Sequence, residues 1–178
     1  MQTAKEEFDR HFSSITKHMR EDDVQALLQA LTPIHVSAGE GMIHDGETSD
    51  AIYFVQQGSL EASITADGKK ISLGQVLPGQ WLGEVSMLDP GPATATVTAV
   101  SDCELLRLGR ADFESLDQHR PMLMNVLIRS LLKLLIARLR SSTDQLIRLA
   151  DDSHHSFTPI HAQERSADAY AALNGTRR

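Results

Sequence analysis

The chain has 178 residues, of which 41% are hydrophobic and 23% charged, a composition that supports one packed domain with extensions. The formal net charge of −7 argues against a nucleic-acid-binding surface, which needs Lys and Arg to displace counterions. The single cysteine, Cys103, can form no disulfide within the chain, so we expect a cytoplasmic protein.

The sequence shows neither an export signal nor a membrane span. Its first ten residues are polar and charged, without the apolar run of a secretory signal. The most apolar stretch, residues 122–139, is interrupted by Arg129, Lys133 and Arg138. Three charges disfavour a bilayer crossing, so we expect a soluble protein that does not associate with a membrane.

Residues 1–31 are predicted to form an N-terminal helical segment. Asp22 suits a helix N-cap, because Gln25 follows it at the spacing of a capping box. Apolar residues recur at helical intervals, namely Val24, Leu27, Leu28 and Leu31. We expect this helix to pack its apolar face on the region that follows.

Residues 32–109 change to short β-type runs separated by glycine turns. The runs are 34–36, 51–56, 60–65, 71–77, 94–99 and 103–108. Their regular spacing predicts an antiparallel sandwich or roll, with Asp67-Gly68 as a two-residue hairpin turn. The fold class is therefore α+β: a jelly-roll-like antiparallel β-roll with N-terminal helices and a long C-terminal dimerisation helix.

Residues 110–150 return to a helical pattern. A short helix at 112–116 stops before Pro121, which suits the first turn of a long second helix. One stripe of that helix has coiled-coil spacing, namely Ile128, Leu132, Leu135, Leu139, Ser142, Leu146 and Leu149. A second stripe lies on a neighbouring face, namely Met124, Leu127, Leu131 and Leu134. Two apolar faces predict two partners, the roll and a second subunit, and so a homodimer through residues 121–150.

Residues 151–178 form a polar tail that we expect to be disordered, with a helical turn near 167–173. The tail contains His154, His155 and His161 without a cysteine cluster, so no metal site is expected. The predicted division is 1–31, 32–150 and 151–178.

The segment from Gly83 to Val97 carries the candidate site. A short helix from Glu84 is predicted to offer free N–H groups to an anion at its first turn, which includes Val85 and Ser86. Gly83 lets the backbone approach closely, and Glu84 can accept hydrogen bonds from a sugar hydroxyl or cap the backbone amides. Ser86 has no histidine at a nucleophile–base spacing, so we expect no catalytic residues and no enzyme activity.

The Gly83-Glu84 pair, followed by Pro92 and Ala95-Thr96-Val97, resembles the signature of cyclic-nucleotide-binding domains. These domains occur in the catabolite activator family, in kinase regulatory subunits and in gated channels. Upstream landmarks agree at 38–40, 45–47, 51–58 and 78–84, and the resemblance covers about residues 10–150. It implies nucleotide binding by this segment, with Thr94 and Ala95 beside the phosphate.

Residues 138–150 resemble the dimer helix of the catabolite activator family in particular. In that family a hydroxyl pair contacts the purine, with one residue reaching across from the partner subunit, and Ser142 and Thr143 occupy the matching positions. That family continues into a helix-turn-helix domain, whereas only 28 residues follow Ala150 here. We therefore expect no DNA binding by this chain.

Ala93 occupies the position where the resemblance implies an arginine that neutralises the cyclic phosphate. Loss of such a charge-assisted bond costs about 1.5–3 kcal/mol, or roughly tenfold to a hundredfold in affinity. Lys69, Lys70 and Arg107 are the nearest substitutes in sequence. No cofactor is required. Cyclic AMP, cyclic GMP and cyclic di-GMP are the candidate ligands, and the absence of any ligand also stays open.

Two functions are consistent with these patterns. The first is a non-enzymatic regulatory module in which a ligand shifts the packing of the long helix and a separate protein partner receives the signal. The alternative is a ligand-degenerate roll that serves as a dimerisation and protein-interaction module, with Ala93 as its main support.

Overall fold

The computed structural model describes residues 2–89 and 91–152. The helices in these residues are α1 (Gln2–Thr16), α2 (Glu21–Ala30), α3 (Glu84–Leu88), α4 (Arg110–His119) and α5 (Pro121–Asp152). The strands are β1 (Leu31–Val36), β2 (Gly41–Ile43), β3 (Ala51–Gln57), β4 (Leu60–Ala66), β5 (Lys69–Val76), β6 (Trp81–Leu82), β7 (Thr96–Ala99) and β8 (Cys103–Gly109).

The strands form two four-stranded antiparallel sheets, which confirms the predicted β-roll. One sheet has the order β1-β8-β3-β6 and the other β2-β7-β4-β5. Strands far apart in sequence pair along their length, as β1 and β8 do from Leu31 opposite Leu108 to Val36 opposite Cys103. A tight turn joins β4 to β5, where Asp67 and Gly68 have φ angles of 51° and 72°. Positive φ at both residues is what the predicted hairpin turn requires.

Aliphatic side chains fill the interior of the roll. Val55, Leu60, Cys103 and Leu105 are fully buried there. Burial raises the pKa of the Cys103 thiol, as expected for a small apolar core residue that carries no reactive thiolate. Cys103 is therefore a residue of the core of the roll.

The helix α1 packs on the outer face of β3 through aromatic rings. Phe8 and Phe12 are buried, and their ring centroids lie 5.8 and 5.3 Å from that of Phe54. Trp81 also contacts Phe54, with ring centroids 5.0 Å apart. The helix α1 and the roll therefore share a core, in which these large rings bury much apolar area.

The helix α5 begins at Pro121, as predicted, and has two apolar faces. One face is at most 1% exposed and consists of Leu123, Met124, Leu127 and Leu131. The other face is between 42% and 68% exposed and includes Ile128, Leu132, Leu139 and Leu146. The chain divides into two compact units, one ending at Leu131 and the other beginning at Leu132, and α5 contributes to both.

The prediction of an N-cap at Asp22 is wrong. The helix α2 begins one residue earlier at Glu21, and the flanking Arg20 makes no side-chain capping bond. Glu21, Asp22 and Asp23 all lie in the first turn, where negative charge favours the positive end of the helix dipole. The acidic run therefore stabilises the start of α2 without the predicted capping box.

Other boundaries also differ from prediction. Leu31, which continues the helical pattern, opens β1 because its backbone pairs with Leu108. The strand β7 begins at Thr96, so Thr94 lies in the loop before it. The helix α4 spans ten residues instead of the predicted five. The strands β2 and β6 are three and two residues long, too short to leave a period-2 pattern.

Within residues 2–89 and 91–152, no helix is both long enough and apolar enough to cross a bilayer. The predicted disorder of the tail, its helical turn at 167–173 and its three histidines fall in residues 153–178, which lie outside the described residues.

Candidate functional site

The candidate site begins at Gly83, which links β6 to the short helix α3. Gly83 has a φ angle of +87°, a left-handed conformation that glycine adopts without strain. A Cβ atom at this position would collide with the carbonyl oxygen of Ala51 on β3. Gly83 therefore allows a close approach between this turn and the backbone of the neighbouring strand, and its predicted approach to an anion stays a prediction.

The helix α3 has both buried and exposed side chains. Glu84, Ser86 and Met87 are at most 5% exposed, whereas Val85 and Leu88 are 40% and 43% exposed. A carboxylate buried to this degree needs hydrogen-bond donors around it. The position of Glu84 fits a residue that accepts hydrogen bonds at the inner face of the segment.

Arg110, the first residue of α4, holds the C-terminal end of α3. Its guanidinium donates to the backbone oxygen of Ser86 at 2.6 Å and to that of Met87 at 3.4 Å. Its own backbone N–H donates to the oxygen of Asp50 at 2.9 Å. Sequence analysis missed this residue, because it lies more than twenty positions beyond α3 and only the fold brings them together.

We expect Arg110→Met to loosen α3 more than it destabilises the whole protein. A charge-assisted hydrogen bond contributes about 1.5–3 kcal/mol, and the guanidinium of Arg110 makes two contacts to one short helix. Hydrogen exchange of the amides of residues 84–88 should accelerate about tenfold or more. Arg107→Met is the matched control, and equal acceleration in both variants would contradict a specific role for Arg110.

The loop before β7 is pinned to the loop between β2 and β3. The N–H of Ala93 donates to the oxygen of Glu47 at 2.7 Å, and the N–H of Gly46 donates to the oxygen of Ala93 at 2.9 Å. Thr96 Oγ1 accepts a hydrogen bond from the N–H of Asp45 at 3.1 Å. These bonds fix the backbone of Ala93 at the position where the resemblance implies an arginine.

Ala93 turns its methyl group into the roll. It is 8% exposed and packs in the apolar interior, whereas the following Thr94 is exposed and Ala95 is half-buried. The structure therefore places the two halves of the predicted segment, 83–86 and 93–95, in the same compact unit. Whether they contact a ligand stays a prediction.

A small open cleft of about 90 Å³ lies beside this loop. Its lining comes from the end of β2, the loop after it and the start of β3: Met42, Ile43, His44, Glu47, Thr48, Ser49, Asp50 and Tyr53. Two carboxylates belong to this lining: Glu47, whose Oε2 lies 3.3 Å from His44 Nδ1, and Asp50.

Three basic residues were suggested as substitutes for the arginine. Two of them donate hydrogen bonds to carboxylates, and the third lies beside a turn. Lys70 Nζ donates to Glu61 Oε2 at 2.6 Å, and Arg107 Nη2 donates to Asp50 Oδ1 at 3.0 Å. Lys69 is exposed beside the Asp67-Gly68 turn. The hydrogen bonds of Lys70 and Arg107 are to carboxylates, which neutralise their charge locally.

Ser142 and Thr143 lie on α5 in the second compact unit. Ser142 is exposed, and Thr143 donates its hydroxyl to the oxygen of Leu139 at 2.9 Å, one turn earlier in the helix. That bond is the common arrangement for a threonine inside a helix. Their role in purine binding, which the resemblance implies, stays a prediction.

The family described as cyclic nucleotide-binding domain matches residues 33–120. The chain is 30% identical to the N-terminal domain of a transcriptional regulator from Streptomyces coelicolor, with a TM-score of 0.60, covering 74% of this chain and 89% of that one. It is 28% identical to a CRP-like cAMP-activated global transcriptional regulator of Mycobacterium tuberculosis, over 71% of this chain and 55% of that protein.

The fold alone is also shared with a cyclic nucleotide-binding domain from Methylobacillus flagellatus, with a TM-score of 0.74 at 20% identity, covering 88% of each chain. A roll of this topology, closed by helices and carrying the Gly83-Glu84 turn, defines a regulatory ligand-binding domain. The chain belongs to the cyclic nucleotide-binding domain superfamily, which confirms the resemblance found in the sequence.

The chain spans only a small part of some relatives. It is 36% identical over 93 residues to lysophospholipase nte1 of Neosartorya fischeri, and this region covers 52% of the chain and 6% of that protein. The matched region is thus a module within much longer proteins.

Proposed function

We propose that this chain is a ligand-responsive regulatory module that dimerises through α5 and passes its ligand state to a separate protein. The supporting observation is the site at the start of α3, where the buried Glu84 follows the left-handed Gly83. In a cyclic nucleotide-binding domain this arrangement suits a sugar hydroxyl, because a buried carboxylate exchanges one hydrogen-bond donor for another at little cost.

The signal would pass through the helices that border the site. Arg110 connects α3 directly to the start of α4, and α4 is followed after one residue by α5. A ligand that binds one arrangement of α3 better than another would shift the positions available to these helices. A partner protein would then bind one arrangement preferentially.

The exposed stripe of α5 supports a homodimer. Leu132, Leu139 and Leu146 are each more than half exposed and recur every seven residues, which is the period of a coiled coil. A monomer would leave this apolar stripe in water. A second copy offers the same stripe, and a two-fold axis would pair the two. We also propose a cytoplasmic location, because the lone Cys103 is a buried thiol.

The alternative function is a roll that has lost its ligand and serves only for dimerisation and protein interaction. The burial of Ala93 in the apolar interior favours it, since the position of the phosphate-binding arginine contributes to the core. In that case the signal would depend on partner concentration and on no small molecule.

Calorimetric titration separates the two functions. The full chain would be titrated with cyclic AMP, cyclic GMP, cyclic di-GMP, adenosine and guanosine, together with thermal melts at millimolar ligand. The regulatory module predicts heat and a raised Tm with at least one ligand, because a ligand that binds only the folded state stabilises it. Glu84→Gln is the control, and it should weaken binding about tenfold or more. A chain inert to every ligand supports the alternative.

A further inference from the structure

We propose that a second stripe on α5, the basic stripe, binds an acidic amphipathic helix of the partner protein. Its members are Lys133, Ile136, Arg140, Thr143 and Ile147. This inference rests on the proposed function, because it names the kind of partner that would receive the signal. It depends on the spacing of these residues, on their exposure and on the charge contrast within the chain.

The basic stripe shares one side of the helix. Its members follow one another at steps of three and four residues, which places them on one face of an α-helix. At roughly 3.6 residues per turn, this face is centred about 80° around the helix from the leucine stripe of Leu132, Leu139 and Leu146. Both stripes belong to the second compact unit. A dimer through the leucine stripe therefore leaves the basic stripe along its side, where a further helix can pack.

The basic stripe combines apolar and charged groups that a partner can reach. Lys133 and Arg140 are exposed, Ile136 is 40% exposed, and Thr143 and Ile147 are half-buried. Among the residues whose side chains the structure describes, none forms an ion pair with Lys133 or Arg140. Such a surface suits a helix that brings apolar side chains to the isoleucines and carboxylates to the two cations.

The distribution of charge in the chain favours an acidic occupant. Between Leu132 and Arg148 there are four basic residues and one acidic residue, Asp144. Residues 1–120 carry nineteen acidic residues against nine basic ones. This part of α5 is therefore the cationic part of an acidic protein. Complementary charge speeds the encounter with an acidic partner and disfavours partners of the same charge.

A second copy of the chain does not suit the basic stripe. If two copies paired through it, Lys133 and Arg140 would meet cations of the other copy, whether the helices ran parallel or antiparallel. Like charges in contact oppose such pairing. The leucine stripe contains no charged residue and suits a second copy. The two stripes therefore fit two different partners.

An anionic membrane and a nucleic acid are also disfavoured. Each is an extended anionic surface that acts on the whole chain, whose formal net charge is −7. The basic stripe offers two cations, fewer than the roughly four to eight that bind anionic lipids. A single acidic helix can present its carboxylates to these two cations without approaching the acidic remainder of the chain.

The test uses designed helical peptides as probes for the whole chain. Three peptides of about four heptads would share one apolar stripe and differ only in the residues beside it, which are glutamate, glutamine or lysine. Fluorescence anisotropy would measure affinity at about 20 mM and about 300 mM NaCl. We expect the glutamate peptide to bind about tenfold or more tightly than the glutamine peptide at low salt, and the difference to shrink at high salt.

A charge reversal in the basic stripe provides the second measurement. Lys133→Glu combined with Arg140→Glu should weaken binding of the glutamate peptide about tenfold or more and strengthen binding of the lysine peptide relative to the wild-type chain. Arg148→Glu is the control, because Arg148 is exposed on α5 outside the stripe and should matter much less. Circular dichroism would check folding. If the double variant does not fold, the comparison of glutamate and glutamine peptides on the wild-type chain decides.

The possible results separate the partner from the other occupants. Equal affinity for the glutamate and glutamine peptides, or equal effects of the double variant and Arg148→Glu, overturns the proposal. Binding that splits the dimer in sedimentation overturns it too, because the peptide then occupies the leucine stripe. So does binding to phosphatidylserine vesicles or to a random-sequence DNA duplex that the double variant abolishes. A chain that is monomeric without peptide contradicts the proposed dimer only, and the response to nucleotides is tested separately by calorimetry.

Discussion

Leu139→Asp should convert the proposed α5 homodimer to a monomer without unfolding the chain. Leu139 is 68% exposed on α5, so the fold of one chain does not depend on its side chain. In a paired α5 it would be buried in both copies. A buried leucine contributes about 1.5–3 kcal/mol, so two copies contribute about 3–6 kcal/mol, or a dimer weakened roughly a hundredfold to ten-thousandfold. Sedimentation velocity across a concentration series would measure it.

The control for this variant is Ser141→Asp. Ser141 is also exposed on α5, and it lies outside the leucine stripe, so the same new carboxylate should leave the dimer intact. Leu132→Asp, one heptad earlier, should repeat the effect of Leu139→Asp. A Leu139→Asp protein that sediments as the wild type does would show that α5 pairs through another face or not at all.

Gly83→Ala should destabilise the protein more than a glycine-to-alanine change in an exposed turn does. A non-glycine residue in the left-handed region costs about 1–3 kcal/mol, and overpacking adds about 1–3 kcal/mol. Both apply, because the new Cβ atom would meet the carbonyl oxygen of Ala51. The expected loss of about 2–6 kcal/mol is a large share of the typical free energy of unfolding. Urea denaturation would measure it.

The matched control for this variant is Gly68→Ala. Gly68 also has a positive φ angle, of 72°, but a Cβ atom added there would meet nothing within 4 Å beyond its chain neighbours. This change should therefore cost only the backbone strain, about 1–2 kcal/mol. The difference between the two variants isolates the contact between Gly83 and β3. A Gly83→Ala protein as stable as Gly68→Ala would contradict that contact.

The turn chemistry of the sequence predicted the roll well. Glycines at regular spacing, and the pair Asp67-Gly68, adopt the positive φ angles that tight turns need. This preference is local, so the turns can be predicted from the sequence without knowledge of the fold. The shortest strands could not be predicted from the sequence. Trp81 and Leu82 form a two-residue strand because they pair with Phe54 and Tyr53, and no local pattern encodes that pairing.

The candidate site was predicted in part. Gly83 and Glu84 were predicted because, together with the Ala95-Thr96-Val97 run, they resemble the signature of cyclic-nucleotide-binding domains, and their role in binding stays a prediction. Arg110 was missed because its hydrogen bonds to Ser86 and Met87 join residues more than twenty positions apart. The sequence could show that Ala93 lacks a charge, but not that its methyl group lies in the apolar core.

The sequence by itself determined the roll and the two apolar faces of α5, because each follows from residue type and spacing over a few positions. Only the tertiary structure decided which face of α5 is covered, that Arg110 holds α3, and that Lys70 and Arg107 are paired with carboxylates. These are contacts between distant segments, and their energies depend on distances and burial that the order of residues does not contain.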